Sequence, residues 1–249
     1  MRKINILLVA VLCMVAGGTA YAAILQAEIE LNTPDISSPA QALNGLSVKA
    51  IFTLSTSNAA MLKIELFNTS TGVPSGFSNA DQLLTGISFD FGESLKIIGG
   101  TVVIGPGSVS YNFDKIGDEQ LVAGDDVSGE WGYGNSYGSG MLLNFASVNQ
   151  TGTTRMGTVN LDGPPNGTLG GPQGGISSSP PIVAIGGLGC VGDSVVIELT
   201  LDSALANLDF LYENGVMAEF GSDAAFLVVP EPATIMLLGI AGLVFRRKI

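Results

Sequence analysis

Six carboxylates crowd one short stretch of the chain, at Asp114, Asp118, Glu119, Asp125, Asp126 and Glu130. Hard oxygen donors this close together suit Ca²⁺, which takes six to eight oxygens, some of them backbone carbonyls, and Asp118, Asp125 and Asp126 are the candidate ligands. No EF-hand or nonapeptide calcium pattern runs through them, so the plainer reading is a solvated acidic turn between two strands. Paired carboxylates also serve glycoside hydrolysis, in which an acid and a base or nucleophile flank the scissile bond. In so acidic a chain a pair arises by chance, which leaves a glycoside hydrolase as a remote alternative. Next along the chain, Trp131, Tyr133 and Tyr137 sit among Gly129, Gly132, Gly134, Gly138 and Gly140. Exposed aromatics stack on sugar rings and glycine lets a ligand come close to the backbone. That would make a carbohydrate-binding platform; the alternative is a strand whose tryptophan anchors the core.

The chain has no histidine. The commonest general base and the commonest metal ligand are therefore missing, and neither a serine nor a cysteine nucleophile has its usual activating partner. We expect a protein that is not an enzyme and carries no resident cofactor, with Ca²⁺ as the one ion its acids would suit. The two cysteines are Cys13, inside an N-terminal apolar run, and Cys190. If the N-terminal run is removed, Cys190 has no partner within the chain, and its apolar, glycine-rich setting predicts a buried thiol.

Charge narrows the partners. The whole chain carries −12, but five of its ten basic residues lie at the two ends, at Arg2, Lys3, Arg246, Arg247 and Lys248. Without the ends, Lys49, Lys63, Lys96, Lys115 and Arg155 face 21 acids, for a net −16. No basic stripe exists to displace counterions from a phosphate backbone, which argues against nucleic acid.

The elements that must hold these residues read as strands. Short runs rich in Val, Ile, Leu, Phe and Thr recur between Gly, Asn, Ser and Asp at 25–31, 46–54, 61–67, 86–91, 95–104, 109–113, 130–133, 141–148, 195–201, 208–212 and 224–229. Lys63-Ile64-Glu65-Leu66 and Ile87-Ser88-Phe89-Asp90-Phe91 alternate with period two, as half-buried strands do. The pattern predicts an all-β domain, an antiparallel β-sandwich or jelly roll, with a helical turn over 203–207. Residues 157–192, dense in Gly, Pro, Ser and Asn, read as an ordered long loop inside that domain. The residues after 192 form too few strands for a core of their own.

Both ends look like addresses. Arg2 and Lys3 precede an apolar run over 4–16 and the small-residue triplet Ala20-Tyr21-Ala22, the pattern of a signal peptide cleaved after Ala22. At the other end Pro230-Glu231-Pro232 precedes an apolar segment of about 13 residues, 233–245, and then Arg246, Arg247 and Lys248. The prolines fix φ and remove two backbone donors, so the chain around Glu231 should be extended. The apolar segment is shorter than the roughly 20 residues of an ordinary spanning helix. With its arginines snorkelling it would span a thinned bilayer, the basic end staying cytoplasmic.

This C-terminal combination resembles the PEP-CTERM sorting signal of bacterial exosortase substrates. The resemblance implies that a membrane-embedded, cysteine-dependent exosortase recognises Pro230, Glu231 and Pro232, that Arg246, Arg247 and Lys248 orient the segment, and that the tail is removed or exchanged. The segments 68–72, 84–90, 127–134 and 160–164 are similar to recurring segments of one group of exosortase-dependent surface proteins, a group with no established activity to transfer. The expected organisation is a signal peptide over 1–22, a β-sandwich ectodomain over 23–228 and a sorting signal with a short hydrophobic helix over 229–249. The expected product is an exported, transiently membrane-held surface or extracellular-matrix protein, associated with exopolysaccharide.

Overall fold

The computed structural model describes residues 7–10, 24–34, 45–55, 58–72, 76–78, 80–92, 94–112, 120–136, 142–149, 159–161, 172–178, 187, 189–222 and 225–228. Within them the chain is mostly β, in two sheets that share one core. The first sheet contains β1 (Leu7–Ala10), β2 (Ile24–Leu31), β4 (Val48–Ser55), β5 (Met61–Asn68), β7 (Ile97–Ile104) and β14 (Ser194–Leu201), in the order β1-β2-β4-β5-β14-β7. Every neighbouring pair is antiparallel.

Period-two burial makes this sheet half of a sandwich. In β5, Leu62, Ile64 and Leu66 point inward while Met61, Lys63, Glu65 and Phe67 face out. The same alternation in β4 and β14 buries Phe52, Leu54, Ile197 and Leu199. On the open face Lys49 pairs with Glu28 at 3.1 Å and Lys63 with Glu65 at 3.0 Å, so two of the scarce cations are neutralised within the sheet.

The second sheet is larger and mixed. It contains β3 (Thr33–Pro34), β6 (Leu84–Phe89), β8 (Ser110–Tyr111), β9 (Gly132–Asn135), β10 (Asn144–Ser147), β11 (Val159–Asn160), β12 (Ile176–Ser177), β13 (Cys190–Gly192), β15 (Val216–Phe220) and β16 (Ala225–Val228). Its centre is β6, which pairs with β10 and with β15 and is buried along its whole length. Phe89 of β6 meets Phe52 of the opposite sheet edge-on, ring centroids 5.9 Å apart, and this contact ties the two layers together.

Three features depart from the sequence reading. Residues 208–212, expected as a strand, lead into the short helix α1 (Phe210–Glu213), and 203–207 are not helical. A five-residue run with one polar residue, Asp209, fits either period, and here Leu208, Phe210 and Leu211 all reach the core from a single turn. The strand β15 was not expected, because Glu219 interrupts its apolar pattern, yet Glu219 is buried. The purely antiparallel setting is also broken, since β12 and β13 run parallel. Both lie inside the expected long loop, and with β11 they pair into the second sheet.

Candidate functional site

The strand that leads to the Pro-Glu-Pro triplet is well anchored. Ala225 and Leu227 of β16 are buried, Phe226 packs with Phe145 and Met217, and β16 pairs with β15 on one side and with β3 on the other. Pro34 in β3 lacks an N–H, a residue tolerated on a sheet's outer strand. Pro230, Glu231, Pro232, Arg246, Arg247 and Lys248, and the expected C-terminal helix, lie outside the described residues, as do Ala20 and Ala22 at the expected leader cleavage site. Part of the expected leader, Leu7–Ala10, is the outer strand β1 beside β2. Among the described residues no helix is long and apolar enough to cross a membrane.

The acidic stretch clasps a sheet edge. Gly124 N–H donates to Ile104 O at 2.9 Å, Ile104 N–H to Asp125 O at 3.0 Å, and Val127 N–H to Val102 O at 2.9 Å. Ser128 Oγ accepts from Val102 N–H at 2.8 Å. The free side of β7 is thereby covered. The candidate ligands Asp125 and Asp126 serve this turn: Asp125 Oδ2 accepts from Val122 N–H at 2.7 Å, and Asp126 Oδ1 from Ser128 N–H at 2.8 Å. Asp118 lies outside the described residues, and among those described no three acids or cysteines are grouped as a metal would require.

Trp131 is a core residue, with 0% of its surface exposed. Its ring faces therefore pack inside the domain and are not offered to a sugar, which removes the centrepiece of the expected platform. Tyr133, in β9, is half-buried against the core, and Tyr137 lies outside the described residues. Beside Trp131, Glu130 closes a 3-10 turn (Ser128–Glu130), and burial pushes its carboxyl above the usual range. The backbone of Gly174 approaches Glu130 so closely that a Cβ there would stand 2.6 Å from the Glu130 Cβ.

Two buried groups were not legible as a pair in the sequence. Glu219 of β15 and Ser147 of β10 lie in one cross-strand row on either side of Gly86 in β6. Asn149 Nδ2 donates to Glu219 Oε1 at 2.9 Å and to Gly221 O at 2.7 Å. Thr85 Oγ1 donates to Gly221 O at 2.7 Å. Ser147 Oγ donates to Thr85 O at 3.0 Å and lies 3.4 Å from Glu219 Oε2, and these contacts bind three strands and the β15–β16 turn together. Cys190, on β13, is buried as expected, and burial raises its thiol to about 11.

Comparison with known families finds a match to a PEP-CTERM protein-sorting motif at residues 228–248. The match spans the Pro-Glu-Pro triplet, the apolar segment and the basic end, and it supports an exosortase-targeted, surface-sorted protein. No curated protein matches the chain. No solved structure matches it either.

Proposed function

We propose that the protein is an exported, non-enzymatic component of the cell surface or extracellular matrix, held in the membrane by its C-terminal segment until an exosortase acts at Pro230-Glu231-Pro232. The sorting motif joined directly to the last strand of a β-sandwich carries this reading. In it the signal peptide over 1–22 exports the chain, the segment 233–245 holds it, and Arg246, Arg247 and Lys248 keep the end cytoplasmic. The delivered domain is an acidic body with an exopolysaccharide layer as its surroundings. Its charge keeps it soluble and repels acidic polymers, so association there would run through bridging cations or neutral sugars.

The absence of histidine supports a structural role over a catalytic one. A sugar-stacking site has lost its strongest support, because the indole of Trp131 is enclosed. Replacing Pro230, Glu231 and Pro232 together by alanine tests the proposal. Full-length chain should then accumulate in the membrane fraction, whereas unchanged processing and release would sink it.

A further inference from the structure

We propose that the outer edge of β2 is a docking site for an extended segment of another protein, one that carries Lys or Arg at alternate positions. The inference rests on the signal-peptide reading above and adds what the delivered domain takes up in place of Leu7–Ala10. On one side β2 pairs with β4 along its whole length, Ile24–Leu31. On the other, β1 pairs antiparallel with Leu25–Glu28 alone, so among the described strands Ile29, Glu30 and Leu31 have no neighbour there.

A strand in an antiparallel sheet turns the N–H and C=O of successive residues toward its two neighbours in alternation. Every second residue of β2 therefore directs its backbone groups to the side of β1, and loss of the leader would leave that row without strand partners. Such a row adds a strand readily, because main-chain hydrogen bonds supply the affinity and alternate side chains the choice. The four residues of β1, held there in antiparallel register, show that the edge accepts one.

The side chains of β2 select the guest. Ala27, Ile29 and Leu31 are buried on the core side, whereas on the open face Gln26 and Glu28 are half-buried and Glu30 is exposed. Lys49 pairs with Glu28 at 3.1 Å, which leaves Glu30 as a negative excess at the edge. A strand with apolar residues toward the core and Lys or Arg on the open face meets both patterns, and opposite charges across a strand pair stabilise it. The domain has no such segment of its own. Between residues 23 and 228 its basic residues are Lys49, Lys63, Lys96, Lys115 and Arg155, no two of them two positions apart. The guest is therefore a different protein.

The test uses the protein as the producing cells deliver it, with its mass showing whether it begins at Ala23. Two synthetic peptides of eight residues, the length of β2, are added separately, one alternating Val with Lys and the other Val with Glu. Amide hydrogen exchange is then read residue by residue. With the Lys peptide at about ten times its Kd, exchange at the outward amides of β2 should slow roughly tenfold, because the docked state closes them. The Glu peptide should leave them unchanged. Replacing Glu28→Gln and Glu30→Gln together should weaken the Lys peptide roughly fivefold. In a chain that begins at Ala23, no slowing by either peptide, equal slowing by both, or slowing spread evenly over other strands would overturn the docking site. A delivered chain that still carries Leu7–Ala10 sinks the signal-peptide reading, and the free edge with it.

Discussion

Asn149 and Glu219 are 70 positions apart in sequence and share a buried hydrogen bond of 2.9 Å. The same amide reaches Gly221 O at 2.7 Å, so one side chain secures both the carboxylate and the turn that returns the chain into β16. Asn149→Ala takes the amide donor from Glu219 Oε1 and one of two donors from Gly221 O, which Thr85 Oγ1 still serves. We expect a stability loss of about 1–3 kcal/mol, read as a lower urea midpoint with an unchanged m-value.

Gly86 separates Ser147 from Glu219, and a Cβ added there would lie 3.0 Å from Ser147 Oγ and 3.1 Å from Glu219 Oε2. Gly86→Ala should cost about 1–3 kcal/mol through overpacking. At Gly99 nothing lies within 4 Å of the same added atom. Gly99→Ala should therefore unfold within about 0.5 kcal/mol of wild type. Equal effects at the two positions would refute the close packing at Gly86.

Trp131 offers a direct choice between core and ligand surface. Truncating a fully buried indole in Trp131→Ala should cost about 3–5 kcal/mol. Glycan binding by the full-length protein, read on an array, should not depend on this residue. A variant of native stability with lost glycan binding would reverse the assignment.

Much of the sandwich could be read from alternation, because β2, β4, β5, β7 and β14 each bury one face and expose the other. Alternation fades where both faces of a strand are covered. The strand β6 was found, but its neighbour β15 was not, since a buried Glu219 makes a core strand look amphipathic in the wrong register. The short strands β11, β12 and β13 hid among glycines and prolines, where a two- or three-residue pairing leaves no period to detect. The sorting motif was legible because its parts are local in sequence. The Ser147–Gly86–Glu219 row and its Asn149 donor were not, because only the sheet brings them together.

The Cys190 thiol is raised from 9.0 to about 11 by burial. Between those values the unfolded chain has lost this proton while the folded one keeps it, so stability falls as pH rises through the window. Disulfide exchange with an aromatic disulfide reagent at pH 8 should leave Cys190 unmodified in the native protein and modify it fully in denaturant. Cys190→Ser should remove part of the decline in melting temperature above pH 9.

Glu130 shows the same sign at lower pH. Desolvation raises its carboxyl above 4.5. Its contribution is complete below that value and declines as pH rises, when the unfolded chain ionises first. Glu130→Gln cannot ionise, so it should flatten this part of the melting profile and melt no lower than wild type at pH 7. A variant that melts lower at pH 7 while keeping the acid-side slope would contradict the assignment.

The first sheet ends at β1, the piece of the expected leader that lies along β2. If a leader peptidase removes it, β2 would become an outer strand with a row of unmatched amides and carbonyls, the kind of edge by which crowded proteins zip into fibrils. On the open face of that strand stand Gln26, Glu28 and Glu30. Two copies meeting there antiparallel would set carboxylates against carboxylates or against glutamine, Glu28 alone being offset by Lys49, and opposed like charges weaken strand pairing. On a densely covered surface, then, the acidity of β2 would keep each delivered molecule a separate particle.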